Sequence, residues 1–266
     1  AGETISAFAL TEEEAGSDAS AIRTTAEKVE DTYILNGSKT FITNATVASL
    51  FTVISRTTVG ISAFLVKRDT PGFTVGPEMG KVGMKGSPIA PLYFKNCMVP
   101  KENLLGTEGK GLSQAFNIFN KARVTVAARS IGMIEQVLEL TTRYTLERIQ
   151  FNRSIADNQG VQWMLANIAT KLKAARLLTY DAAKKIDEGK PDFVQCSMAK
   201  LFATEALSEA VDVGIQLHGG KGYLTDYPLE RYYRDTRGSR IFEGASEIQR
   251  DIISRELIKQ FSKSNK

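Results

Sequence analysis

The chain has 266 residues, 42% of them hydrophobic and 24% charged, an ordinary globular balance that sets aside disorder for most of its length. Its 34 basic and 30 acidic side chains leave a net charge of +4, too even for a nucleic-acid binder, whose basic residues should form a dense patch. Two cysteines and one histidine cannot easily supply the ligands of a zinc site, and no apolar run reaches the length of a membrane span. Cys97 and Cys196 sit among apolar neighbours and outside any CxxC pair, as structural thiols of a reducing compartment do. The expected location is therefore cytoplasmic, or the mitochondrial matrix in a eukaryote, and the amino end carries no signal-peptide pattern.

In chain order, the first hundred residues read as strands and turns. Ile5–Leu10 is short and apolar, and Thr32–Asn44 reads as a hairpin with Asn36-Gly37 as its tight turn. Phe51–Arg56 and Ile61–Val66 are further strands, Pro71-Gly72 breaks the chain, and Leu92–Phe94 resumes it. With no intervening amphipathic helix, this spacing predicts an antiparallel barrel or sandwich over residues 1–108 and argues against a dinucleotide-binding βαβ domain.

After Gly109 the period changes to helical. One face is Val124, Ala127, Ile131, Ile134, Leu138 and Thr141; a second runs from Val161 through Leu172 and Ala182 to Ile186. A third contains Cys196, Ala199, Ala203, Ala206, Ala210, Val213 and Leu217, and Ser246–Gln260 is the fourth candidate. Long helices with short links predict an antiparallel four-helix bundle over residues 109–266, making the chain α+β. The tail from Ser262 to Lys266 reads as disordered.

Four segments carry possible chemistry. Thr11–Asp18 (TEEEAGSD) follows a strand with small and hydroxyl residues whose N–H groups could hold an oxygen, although an acidic turn explains it equally well. Phe41 and Thr43 share one strand face, where the ring could stack on a flat ligand and the hydroxyl bond its edge; a core Phe beside an edge Thr is the plainer reading. Gln216–Tyr223 (QLHGGKGY) ends a helix with adjacent glycines that admit a close approach or simply cap the helix. In Ile241–Arg250 (IFEGASEIQR), Glu243 follows two bulky apolar residues, where desolvation would raise its pKa as a general base needs; an acidic residue at a helix start is the alternative.

Together TEEEAGSD, FITN, VPKENLLG, RYTLERIQF, QLHGGKGY and IFEGASEIQR resemble, in order and spacing, successive signatures of the acyl-CoA dehydrogenase family across essentially the whole chain. That family has a helical amino-terminal domain, a middle β domain and a carboxy-terminal four-helix domain, and the resemblance covers the last two. It implies an FAD enzyme that desaturates an acyl-CoA thioester, here in a truncated or partial form with little activity alone, because the first domain forms one wall of the acyl pocket.

By position, the resemblance implies that Phe8, Leu10, Thr11, Ser17, Phe41 and Thr43 line the flavin, with Ser17 also near the thioester arm. Arg148, Gln150 and Gln159 match contacts to the FAD of a neighbouring subunit, and Gln216, Gly219 and Gly220 match its adenine side. Ala245 and Glu247 stand at further cofactor positions, the first lacking the usual threonine hydroxyl. Asn120, Arg123 and Gly244 match substrate positions, and Glu243 matches the catalytic base. Ala122 stands where some members carry a second base. Glu13-Glu14 replaces a usual Pro-Gly, and the short link from Arg56 to Ile61 leaves no longer loop to touch coenzyme A. The implied partners are an electron-accepting flavoprotein and further copies of the chain as a dimer or tetramer. Two other outcomes stay open: an acyl-CoA oxidase or flavin monooxygenase on the same fold, and a non-catalytic scaffold or partner subunit.

Overall fold

The computed structural model describes residues 2–264. They form two compact units that divide between Asn117 and Ile118. The expected junction followed residue 108. The first turns of helix α1 (Gly111–Glu147) group with the sheet, and a Cβ on Gly111 would lie 2.5 Å from the Ser62 carbonyl carbon.

The first unit is one curled sheet of seven strands: β1 (Ser6–Ala9), β2 (Thr25–Val29), β3 (Thr32–Thr43), β4 (Leu50–Arg56), β5 (Ile61–Lys67), β6 (Phe73–Val75) and β7 (Ile89–Pro100). The sheet is mixed rather than purely antiparallel, because β1 runs parallel to β4 and Thr25 of β2 pairs in parallel with Arg56. Parallel neighbours need a long connection, and the chain between Ala9 and Leu50 supplies one that contains the whole β2–β3 hairpin. Phe51 meets Phe73 edge-on at 4.8 Å, Phe73 stacks on Phe94 at 5.2 Å, and Tyr33 meets Phe64 at 4.8 Å. With Leu35, Val53, Val66 and Leu92 they make the core.

Asn36-Gly37 is not a turn. β3 runs straight through it, and both of its halves pair antiparallel with β7. The real hairpin turn is Glu30–Asp31, between β2 and β3. Gly37 is required by packing: its φ is +138° and a Cβ would come within 2.7 Å of Thr24 Oγ1. Asn36 Oδ1 instead accepts from the N–H of Asn96, a left-handed residue at an irregularity of β7.

The second unit holds the remainder of α1 with α2 (Gln159–Asp187), α3 (Phe193–His218), α4 (Pro228–Arg237) and α5 (Ser246–Ser264). α4 was not expected from periodicity; it starts on Pro228, which has no N–H to lose at a helix start. α3 is the centre. Its alanines 199, 203, 206 and 210 are buried, and small side chains let neighbouring helices approach closely. Gly214 continues this row, where a Cβ would lie 3.1 Å from Val137 and 3.2 Å from Thr141 of α1. α5 extends through Ser264, so the expected disordered tail is helical to that point; residues 265 and 266 lie outside the described residues. No helix among the described residues is long and apolar enough to cross a membrane.

Candidate active site

In the β unit, Phe8 alternates with the core residues Ala7 and Ala9 and so belongs to the other side of β1. Thr40 N–H donates to Thr11 O at 2.9 Å, which sets the chain after β1 beside Phe41. Phe41 is the extra residue of a bulge in β3. Its φ of +57° is a costly conformation for an aromatic, and its ring is 57% exposed while Ile42 beside it is buried. Thr43 is exposed like Phe41. An exposed ring next to a hydroxyl, held by strained backbone, fits a flat heteroaromatic ligand with a polar edge. Ser17 lies in the exposed bend before Asp18, and Leu10 is buried.

The loop between Thr11 and Ser17 is anchored from beneath. Glu12 accepts hydrogen bonds from Arg23 N–H, Thr24 N–H and the Lys39 ammonium, and Lys39 also donates to Leu10 O. Burial draws Lys39 down to about 8, opposed by Glu12. TEEEAGSD is therefore partly a structural motif, and Glu13 and Glu14 are exposed.

In the helical unit, a separate group is Asn120, Arg123, Glu243, Gly244 and Ala245. Arg123 is buried and donates to Asn120 Oδ1 at 3.1 Å. Glu243 and Gly244 make a left-handed turn, with φ of +53° and +86°, ahead of α5. Gln249, fully buried, donates to Gly244 O at 2.8 Å and to Glu243 O at 3.2 Å. A Cβ on residue 244 would meet that amide at 2.5 Å. Lys200 of α3 donates to Gly244 O at 2.7 Å.

Buried polar atoms without partners gather here: Glu243 Oε2, Arg123 Nε, Ser246 Oγ and Gln249 Oε1. A fold optimised for stability alone would satisfy them. Burial pushes the Glu243 carboxyl up, while Arg123 and Lys200 pull it back.

A third group surrounds a cavity of about 590 Å³ lined by Arg143, Tyr144, Arg148, His218, Lys221 and Tyr227, among others. It brings Arg148 together with the QLHGGKGY segment. His218 is a packing residue: Tyr144 stacks on it at 4.2 Å and its Nδ1 lies 2.8 Å from Gly214 O. Gln216, Gly219 and Gly220 at the end of α3 are exposed, as is Gln159 at the first position of α2. Gln150 lies on a small hairpin of β8 (Ile149–Gln150) and β9 (Arg153–Ser154), whose turn residues Phe151 and Asn152 both have positive φ. Phe151 at the tip is 95% exposed.

Sequence reasoning missed Lys200, Gln249, Lys39 and Phe151. The signal for Lys200 was available: it lies four residues after Cys196 and three before Ala203, a lysine on an apolar helix face.

Family models match both units: residues 7–97 match the middle domain of acyl-CoA dehydrogenases and residues 109–258 their C-terminal domain. An acyl-CoA dehydrogenase of Bacillus subtilis is 45% identical over 262 residues, 97% of this chain and 69% of that protein. The acryloyl-CoA reductase (NADH) of Anaerotignum propionicum is 44% identical over 97% of this chain and 68% of that protein. The structure of an acyl-CoA dehydrogenase complexed with FAD from Bacillus anthracis aligns with a TM-score of 0.91 at 36% identity, covering 98% of this chain and 48% of that one. The mixed curled sheet, the helical unit with its half-buried carboxylate, and matches at this identity over both units agree: the chain belongs to the acyl-CoA dehydrogenase family.

Proposed function

We propose that the protein is an FAD-dependent acyl-CoA dehydrogenase that desaturates an acyl-CoA thioester between its α and β carbons, with Glu243 as the base. The observation that carries this reading is the Glu243 carboxyl: half-buried, with Oε2 unpartnered, pushed upward by burial and set in a left-handed turn beside two cations. A carboxylate in that state takes a proton from a weakly acidic carbon better than a solvated one. FAD, when bound, supplies the acceptor for the β hydride.

The chain's residues divide the remaining work. Phe41 would stack on the cofactor and Thr43 would bond its edge, with Phe8, Leu10, Thr11 and Ser17 completing the β-side contacts. The backbone N–H of Glu243 donates to the thioester oxygen as negative charge develops there. Asn120, Arg123 and Gly244 shape the substrate side, and Ala245 and Glu247 border the cofactor. Arg148 and Gln150, with Gln159, Gln216, Gly219 and Gly220, serve the FAD of a neighbouring copy. The exposed β8–β9 hairpin supports this, since a guanidinium suits an anionic diphosphate. The implied electron acceptor for the reduced cofactor is an electron-accepting flavoprotein. Both cysteines are free and buried, which supports a reducing compartment.

The test is Glu243→Gln in the full-length enzyme. The amide preserves shape and cannot act as the base. The variant is expected to keep FAD and to lose about 10²–10⁴-fold in the rate of flavin bleaching by acyl-CoA under anaerobic conditions. Near-normal bleaching would overturn the assignment.

A further inference from the structure

We propose that Lys200 is a positioning residue for the reaction, holding the Gly244 carbonyl so that Glu243 is aimed and supplying part of the positive field in which that carboxylate works. This rests on the reading of Glu243 as the base.

The argument starts from cost. Lys200 is fully buried in the middle of α3, and its one hydrogen bond is to Gly244 O at 2.7 Å. No carboxylate pairs with it within 4.0 Å among the described residues. An unpaired buried ammonium is expensive, and an apolar residue would fill the same helix face without that penalty. Stability of α3 therefore does not account for it.

Its placement does. The Glu243–Gly244 turn has positive φ at both residues, and among the described residues two side chains hold its carbonyls: Gln249 on both, and Lys200 on Gly244. Gln249 is neutral, so it can fix the turn but adds no charge. Lys200 does both. The charged groups acting on Lys200 are Arg123 from α1, Glu243 itself, Glu247 from α5 and Arg240 from the turn after α4. Those acting on Glu243 are Arg123 and Lys200. Two cations thus oppose one carboxylate, and the excess positive charge favours the ionised base despite its burial. Burial holds Lys200 itself near 8, helped by Arg123, so it remains mostly charged at neutral pH.

Two variants separate aiming from charge. Lys200→Gln removes the charge and leaves a neutral amide donor on a side chain one bond shorter; Lys200→Arg keeps the charge. The reductive half-reaction with acyl-CoA is followed against pH in the full-length holoenzyme. In Lys200→Gln the acid limb of the rate profile is expected to move up by roughly one pH unit or more, because the base protonates more readily without its cation. In Lys200→Arg the limb is expected to stay at the wild-type pH. A limb unmoved in Lys200→Gln would overturn the proposal, as would loss of FAD and fold in both variants, which would assign Lys200 to the core alone. The Glu243→Gln result is independent. If that variant is inactive while Lys200→Gln has a wild-type profile, the base assignment stands and only the role of Lys200 fails.

Discussion

Lys39 is fully buried, and its ammonium lies 2.7 Å from the Glu12 carboxylate, which also accepts two backbone N–H groups. Burial alone would raise the Glu12 carboxyl, but the bonds from Lys39, Thr24 and Arg23 outweigh it and hold it below the usual carboxylate range. A carboxyl depressed in the folded state contributes stability that is fully present above its unfolded value and lost as pH falls through the folded one. Glu12→Gln leaves the Lys39 charge without a counter-charge and is expected to destabilise the β unit by about 3 kcal/mol at neutral pH. Between about pH 5 and pH 3, thermal unfolding should fall more steeply for the wild type than for the variant. Equal slopes would mean that this pair is not the acid-sensitive contact. At Glu243 the balance runs the other way: burial outweighs the pull of Arg123 and Lys200, and the carboxyl is raised.

Among the elements, β3 shows how a strand can turn one aromatic side chain outward. Two irregularities against β7 change which residues face inward, so Lys39 and Ile42 are buried while Phe41 points outward at φ +57°. Gly37 keeps β3 close to Thr24. An Asn in its place would suit a tight hairpin turn but not φ +138°, so Gly37→Asn is expected to cost about 1–3 kcal/mol in urea unfolding. A neutral result would favour a turn-like role for this dipeptide. In the helical unit, Gly214→Val would drive side-chain atoms into Val137 and Thr141. Overpacking of this kind costs about 1–3 kcal/mol and should appear in the same measurement as loosened packing between α1 and α3.

For the whole molecule, the exposed hairpin with Phe151 at its tip and the cation-lined cavity beside it predict that the protein works as an assembly of like copies. Sedimentation of the FAD-loaded protein is expected to give a dimer or tetramer. Arg148→Ala is expected to weaken FAD retention without changing the fold, as read by cofactor release on dilution and by circular dichroism. A monomer that holds FAD tightly would contradict the shared site. The chain spans about two-thirds of the length of the Bacillus subtilis relative.

The sequence by itself determined the change from strand to helix period near residue 110, the apolar faces of α1, α2 and α3, the place of α5, and the six motifs in order that mark the family. These are local or nearly local properties: side-chain period is fixed by backbone geometry, and motif spacing survives in one dimension. Only the tertiary structure decided the parallel pairing of β1 with β4, the straight run of β3 through Asn36-Gly37 and the presence of short α4. Strand partners are chosen by long-range burial, and a short polar helix has too few apolar positions to announce itself. The setting of Glu243 was likewise tertiary. Its apolar neighbours Ile241 and Phe242 are visible in the sequence, but Arg123, Lys200 and Gln249 come from three different helices. Charge and burial act through space, and residues far apart in the chain meet only when those helices pack.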